Sequence, residues 1–495
     1  MRARLLGLGS AAIAAAVVGG VVPAVAIPVC TDQVTGVNER CPTWAGAYNH
    51  TGRGGRGEDI GRDLAVSPDG TTVYITGQSQ DDVSGDDQAI VAFDAATGAL
   101  RWASRYTQSG NSFDTGSGLA VAPDGSRVYA VGRSIGADGS WDWVTAAYRA
   151  SDGLRLWESR YETALSDRTW AVEASPDGSA VFVVGEVNGA DVGAAAYDAA
   201  TGELLWDGVY DGGGTDWALQ IGVAPDGETV YAAGTSGAAT TGVDLVTVAF
   251  RAVPEGDDEA GSVRWVSRVD GGDRGPETFG GFDLAPDGES LAIAGYTTVG
   301  GVSKTLTAVV DTVSGVERWR ALAGGGAADS DMRDTVAIGG GRVVRVTRDA
   351  GPTGENSQYV TIAYDLADGS VDWTATQGGG PNMKDHAKTV AFSPDEARVF
   401  VSGYSVFPYG ETGGLRIEPG HIMTVSYDAA SGARRWVAIH NQSGVGADFA
   451  VGVVPSPTGQ RVFVGGTFIT SSMHVWASDA TMAYAYDFGV VAYPA

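Results

Sequence analysis

Three features predict an all-β fold, a ring of eight small sheets with four antiparallel strands each. First, a turn recurs ahead of a β-branched run: Pro68-Asp69-Gly70, Pro123-Asp124-Gly125, Pro176-Asp177-Gly178, Pro225-Asp226-Gly227 and Pro286-Asp287-Gly288. Weaker forms follow at Gly339-Gly340-Gly341, Pro394-Asp395-Glu396 and Pro457-Thr458-Gly459. Second, the eight units recur every ~55 residues, the length of a four-stranded propeller blade. Third, the ends complement each other. The tail Asp487 to Ala495 reads like Asp142 to Ala150, a third strand, and Trp44 to Tyr48 reads like the fourth strands at Trp102 to Tyr106 and Trp157 to Tyr161. An N-terminal strand completing the last unit would close the ring and hide two open sheet edges. The prediction is an eight-bladed β-propeller.

Within unit one, Val66 closes the first strand. Pro68 fixes φ, Asp69 bonds the local backbone and Gly70 accepts φ > 0. Val73 to Thr76 is β-branched and aromatic, as strands prefer. Ala89 to Phe93 forms the third strand, and Asp94 to Gly98 turns it into a fourth around Trp102.

The chain opens with the pattern of an export signal over residues 1–26: Arg2 and Arg4, a small apolar core from Leu5 to Val22, and Ala24-Val25-Ala26 as a cleavage site after Ala26. Residues 27–43 form an N-terminal segment, and 44–495 the propeller. Cys30 and Cys41 are the only cysteines. In an exported chain they are expected as a disulfide stabilising by about 3 kcal/mol at most. Nothing later is long and apolar enough to cross a bilayer as a helix. The expected product is a secreted, extracellular monomer.

Net charge is −28, and loss of Arg2 and Arg4 with the signal takes it to about −30. Nucleic acid and anionic membrane are poor partners for such a chain, because phosphate binding needs clustered cations.

The units vary most between strands two and three: Asp81 to Asp87, Gly136 to Asp142, Val406 to Gly420 and Ile469 to Tyr486. Unit four instead enlarges its last turn, Val253 to Ser262. Alternating strand direction puts the two-to-three loops and the crossings between units on one face, the candidate binding face. An acid recurs there nine residues before each turn: Asp59, Asp114, Asp167, Asp216, Glu277, Asp331, Asp385 and Asp448. With the first strand innermost, these ring the mouth of a central channel. Such a ring concentrates cations, Ca²⁺ among them, or each acid accepts backbone N–H groups and ties its crossing to a neighbouring blade.

Ala92-Phe93-Asp94 with Gly98 and Trp102 resembles the tryptophan-docking repeat of the quinoprotein (PQQ-dependent) dehydrogenase propellers. Further copies are Ala196-Tyr197-Asp198 with Gly202 and Trp206, Ala363-Tyr364-Asp365 with Gly369 and Trp373, and Ser426-Tyr427-Asp428 with Gly432 and Trp436. Trp157, Trp265 and Trp319 fit with looser surroundings, and Trp44 takes the same place in the closing strand. The Pro-Asp-Gly strands resemble YVTN and lactonase-like repeats. In the family the docking tryptophan is a packing device between blades. The dehydrogenases' adjacent cysteine pair and haem motif are missing, and the chain looks at least as much like non-catalytic members such as the Gram-negative outer-membrane assembly propeller.

All five histidines, His50, His386, His421, His440 and His474, belong to units seven and eight or the closing strand. A metal held by Asp385, His386 and His421, with His474, is one reading; scattered surface histidines is the other. Trp141, Trp170, Trp217 and Trp476 lie outside the docking set, and aromatic faces beside acids suit sugars or cations. No nucleophile elbow, phosphate loop or zinc-protease motif occurs. The sequence therefore points to a binding scaffold for a protein, glycan or small ligand on the variable acidic face, with no cofactor assigned. The alternatives are a PQQ- and Ca²⁺-dependent oxidoreductase and a metal-dependent lactonase-like hydrolase.

Overall fold

In the computed structural model the described residues are 40–50, 58–81, 85–107, 114–136, 138–238, 242–272, 275–324, 335–349, 357–378, 383–406, 410–412, 415–417, 420–440, 448–470 and 485–495. Residues 1–39, with Cys30 and the export signal, and Asp331, His474 and Trp476 lie outside them.

Eight four-stranded antiparallel sheets form the ring. Blade one shows the plan: Asp59–Val66, Thr72–Asp81, Gly85–Asp94 and Leu100–Tyr106, paired in that order. First strands of adjacent blades touch around the axis, so the first strand is innermost. Blade eight is assembled from both ends of the described chain: Trp44–Tyr48 pairs with Ala485–Pro494, Trp44 opposite Ala492 and Tyr48 opposite Phe488.

Some strands run further than the sequence suggests. Strands two and three of blade one continue as a ladder to Asp81 opposite Gly85, through what reads as a variable loop. Ladder bonds are indifferent to side-chain polarity, so Gln80 and Asp86 carry the hairpin on, 3.3 Å apart. For the same reason Trp141, expected in a loop, opens strand three of blade two opposite Ile135. In blade six, which lacks Pro-Asp-Gly, Gly340 and Gly341 make a two-residue turn at φ 57° and 71° between Gly339 and Arg342. The blade-seven insertion holds a short hairpin, Gly410–Thr412 with Leu415–Ile417.

The core is not central. Buried apolar side chains fall into eight clusters, one per seam between neighbouring blades. A tryptophan pins each seam. The indole N–H groups of Trp44, Trp102, Trp157, Trp206, Trp265, Trp319 and Trp373 donate to the carbonyls of Ala95, Ala150, Ala199, Ala252, Thr312, Leu366 and Ala429 in the next blade, at 2.8–3.1 Å. Trp436 packs between Phe400 and Tyr493. Against each of the other seven indoles lies the turn glycine of the next blade, which must have no side chain. A Cβ built on Gly202 (φ 75°) would stand 2.5 Å from Trp157 Cε3. Gly213, at φ 87°, has open space around it.

That contrast yields a test. Gly213→Ala should cost only the left-handed backbone penalty, about 1–2 kcal/mol. Gly202→Ala should add a clash of about 1–3 kcal/mol and lower the denaturation midpoint more. Equal midpoints would mean that the indole contact contributes nothing.

Candidate functional site

The recurring acids open the innermost strands, and the structure buries them. Asp59, Asp114, Asp167, Asp216 and Asp385 are each 0% exposed, Asp448 1% and Glu277 3%. Their carboxylates hold the crossings in place. Asp59 accepts the His50 N–H at 2.7 Å. Asp167 accepts the N–H groups of Thr163 at 2.7 Å and Asn188 at 2.9 Å. Asp216 accepts those of Gly212 at 2.5 Å and Gly237 at 3.1 Å. The hydroxyls of Ser236, Thr297 and Ser405 donate to Asp216, Glu277 and Asp385. Backbone N–H groups of the same residues reach back: Asp167 to the Trp141 carbonyl and Asp216 to that of Ala190, both at 2.6 Å, and Glu277 to that of Val243 at 2.7 Å. Each such acid latches its blade to the one before it. Burial pushes the carboxyls of Asp59 and Glu277 up to about 7.

Two groups of three carboxylates have oxygens within 4.8 Å of one another: Asp191, Asp211 and Asp216, and Asp244, Asp270 and Glu277. Each combines the opening of a third strand, a crossing and the next recurring acid. These are the donor sets among the described residues that could hold a metal. In the second, Arg268 Nε bonds Asp244 at 3.1 Å. Asp385, His386 and His421 do not form such a group. His386 stacks on Tyr404, centroids 4.6 Å apart, with Arg348 Nη1 at 3.1 Å from its ring nitrogen. Burial alone holds His421 down to about 4. His50 and His440 are buried.

Around the axis lies a cavity of about 790 Å³. Its lining comes from a device that leaves no mark in the sequence. The first strands of seven blades carry a bulge between the same two ladder positions. In six of them the extra residue, Arg62, Ser117, Trp170, Leu219, Lys388 or Val451, lines the cavity. The seventh is Gly280, which brings no side chain to the cavity and packs against the buried Arg345. A Cβ on Gly280 would meet the Arg345 guanidinium at 3.1 Å. That arginine is fully buried at a position where the other second strands carry aliphatics such as Ile75, Val183 and Ile293. It donates to the carbonyls of Thr335 at 3.1 Å and Gly295 at 3.3 Å, and lies over the Tyr296 ring.

Of the tryptophans outside the docking set, Trp141 and Trp170 come together. Arg133 lies 4.7 Å from the first ring and 5.7 Å from the second. Trp217 stands 39% exposed. The cavity's acids are Asp63 and Glu173. Asp63 accepts the Leu119 N–H of blade two at 2.8 Å. Glu173 accepts the Val223 N–H of blade four, and burial, with the charge of Asp283 adding to it, pushes its carboxyl up to about 8.

The sequence profile of the family described as outer membrane protein assembly factor BamB matches residues 44–276, a little under half of the chain. No curated protein matches the chain in sequence. Among solved structures it is similar to a europium-containing methanol dehydrogenase, with 12% identity, TM-score 0.55, and 94% of this chain and 95% of that one covered. The quinohemoprotein alcohol dehydrogenase of Comamonas testosteroni gives 15%, 0.52, 93% and 78%. Sqt1 of Chaetomium thermophilum, bound to the N-terminus of a ribosomal protein, gives 14%, 0.51, 88% and 97%.

The raised carboxyls set a pH dependence. A carboxyl whose folded value exceeds its unfolded one binds its proton more tightly in the native state. The linked stability is full below about pH 4 and is lost as pH rises through about 7 to 8. The melting temperature should fall between about pH 5.5 and about pH 8.5, and Glu173→Gln should shrink the fall. An unchanged slope in that variant would sink the assignment. Turn acids such as Asp94 and Asp177, held down to about 2 by Arg101 and Ser175, act in the opposite sense and only in acid.

Proposed function

Because this chain is an eight-bladed propeller of PQQ-like repeats, we propose that it is an exported, non-catalytic binding protein. Its partner, a protein, glycan or small ligand, engages the face of crossings and two-to-three hairpins over the cavity mouth. One observation carries this reading. What repeats is spent on architecture: described acids of the recurring set are buried as latches, and the docking tryptophans sit in seams. What differs from blade to blade gathers at the axis and on that one face, and recognition needs such asymmetry. A similar propeller, Sqt1, is bound to the N-terminus of a ribosomal protein. Export rests on residues 1–26, and with it a Cys30–Cys41 disulfide.

A quinone paired with Ca²⁺ does not fit the described cavity residues. That pair needs several free carboxylate oxygens on the wall. The two wall acids, Asp63 and Glu173, each take an N–H from the next blade. The three-carboxylate groups contribute no residue to the lining. A lactonase-like metal among the recurring acids would be confined to Asp216 or Glu277 in the two three-carboxylate groups, and these already accept hydrogen bonds from the hydroxyls of Ser236 and Thr297.

Purified protein mixed with PQQ and Ca²⁺ should leave the quinone absorbance unshifted and should reduce no dye with alcohols or sugars. Turnover would overturn the reading. Ligands selected from glycan or peptide arrays should bind less well to Trp217→Ala, which removes an exposed aromatic from the proposed face. Selected ligands indifferent to every substitution on that face would also count against it.

A further inference from the structure

We propose that the axial cavity binds a small amphiphilic anion, a carboxylate on a short acyl or aromatic body. Its charge sits at Arg62 and Lys388 and its apolar end against Trp170 and Leu219. The inference deepens the binding reading above and rests on it.

The argument starts from the order of the bulged residues around the axis. Blades seven, eight and one contribute Lys388, Val451 and Arg62, and blades two, three and four contribute Ser117, Trp170 and Leu219. In a ring of eight, blade n faces blade n + 4. Lys388 therefore faces Trp170, Val451 faces Leu219, and Arg62 faces Gly280, which has no side chain. One wall is cationic and the opposite wall apolar. In a chain of net charge −28, two cations gathered on one wall of a cavity whose two acids are already turned to backbone N–H groups mark that wall as a place for an anion.

The two cations are held in different ways. Arg62 is exposed into the cavity and makes no ion pair or hydrogen bond among the described residues. Lys388 lies over the Tyr404 ring, 5.5 Å from its centroid. Tyr404 is itself stacked on His386 and met edge-on by Phe449. That aromatic group holds the ammonium beside the cavity and supplies a flat apolar rim. Of the two wall acids, Asp63 is turned to the Leu119 and Leu64 N–H groups, both at 2.8 Å, and Glu173 to that of Val223. The volume of about 790 Å³ lies in the range of small-molecule sites, ~300–1,000 Å³. An uncharged ligand would leave Arg62 unanswered, and a cation would meet it with repulsion.

Titration calorimetry with sodium octanoate tests this, with octanol and octyltrimethylammonium as controls. Octanoate should bind saturably at one site, octanol more weakly and the cation not at all. Arg62→Ala should weaken octanoate roughly tenfold or more, the effect of losing one charge-assisted hydrogen bond, and leave octanol unchanged. Arg62→Glu, an exposed change whose fold circular dichroism can verify, should reverse the preference towards octyltrimethylammonium. Leu219→Ala should weaken octanoate and octanol alike, and Arg435→Ala on the outer strand should change nothing. No saturable octanoate binding, or equal binding by Arg62→Ala, overturns the proposal. If octanoate fails while array ligands still depend on Trp217, only the cavity assignment falls. If octanoate binds and no face ligand is found, binding is confined to the cavity and only the outer-face part of the reading falls.

Discussion

The contact on which this molecule depends is an indole lying flat on a glycine. Seven docking tryptophans, each on the fourth strand of one blade, reach with their N–H a carbonyl in the next. The glycine beneath the ring occupies a left-handed conformation that most side chains resist. One contact thus fixes the distance, the angle and the chemistry of a seam. A single four-stranded sheet buries little alone; eight of them, each sharing two seams, bury a continuous apolar belt. Trp44 has particular weight in this scheme, since it makes the contact from the strand that joins the two ends of the propeller.

The repeat also explains the recurring acids. A carboxylate inside a protein is costly unless N–H groups surround it, and crossings between blades leave backbone N–H groups in need of acceptors. The chain meets both needs at once. The cost is visible in Asp59 and Glu277, whose carboxyls are pushed up to about 7 despite their hydrogen bonds. Burial there outweighs bonding. With that chemistry spent on holding blades together, the individuality of the protein is left to positions that the repeat does not constrain, above all the bulged residues of the inner strands.

Legibility in the sequence followed the range of the interaction. Turns, docking tryptophans and the closing strand could be read because their causes are local or periodic: Pro68 and Gly70 act within four residues, and the Trp44 segment copies a pattern seen again at Trp102. Ladder ends could not, because polar residues such as Gln80 pair as readily as apolar ones once a neighbour strand is in place. The cavity lining was hidden for a different reason. Whether Arg62 or Lys388 faces the axis depends on a one-residue register shift, and such a shift flips a side chain from one face of a strand to the other. Trp170 reads in the sequence as an aromatic close to an acid, with nothing to mark its place in the bulge. Arg345 was missed because a lone arginine in a strand reads as a surface residue, whereas here the glycine at 280 makes room for it inside a seam.

The joining of residues 44–48 to the tail has a consequence in time. A chain is made from its N-terminus, so the segment carrying Trp44 exists for the whole of synthesis before its partner at Ala492 appears. Every other sheet can be finished as soon as its own four strands are made. The eighth cannot, and until it is, the strand at Arg461–Thr470 and the segment at Trp44 each present an unpaired edge. Assembly therefore ends on its most distant pairing in sequence, a slow kind of step, and a chain stopped a few residues early would remain an open arc with two adhesive ends.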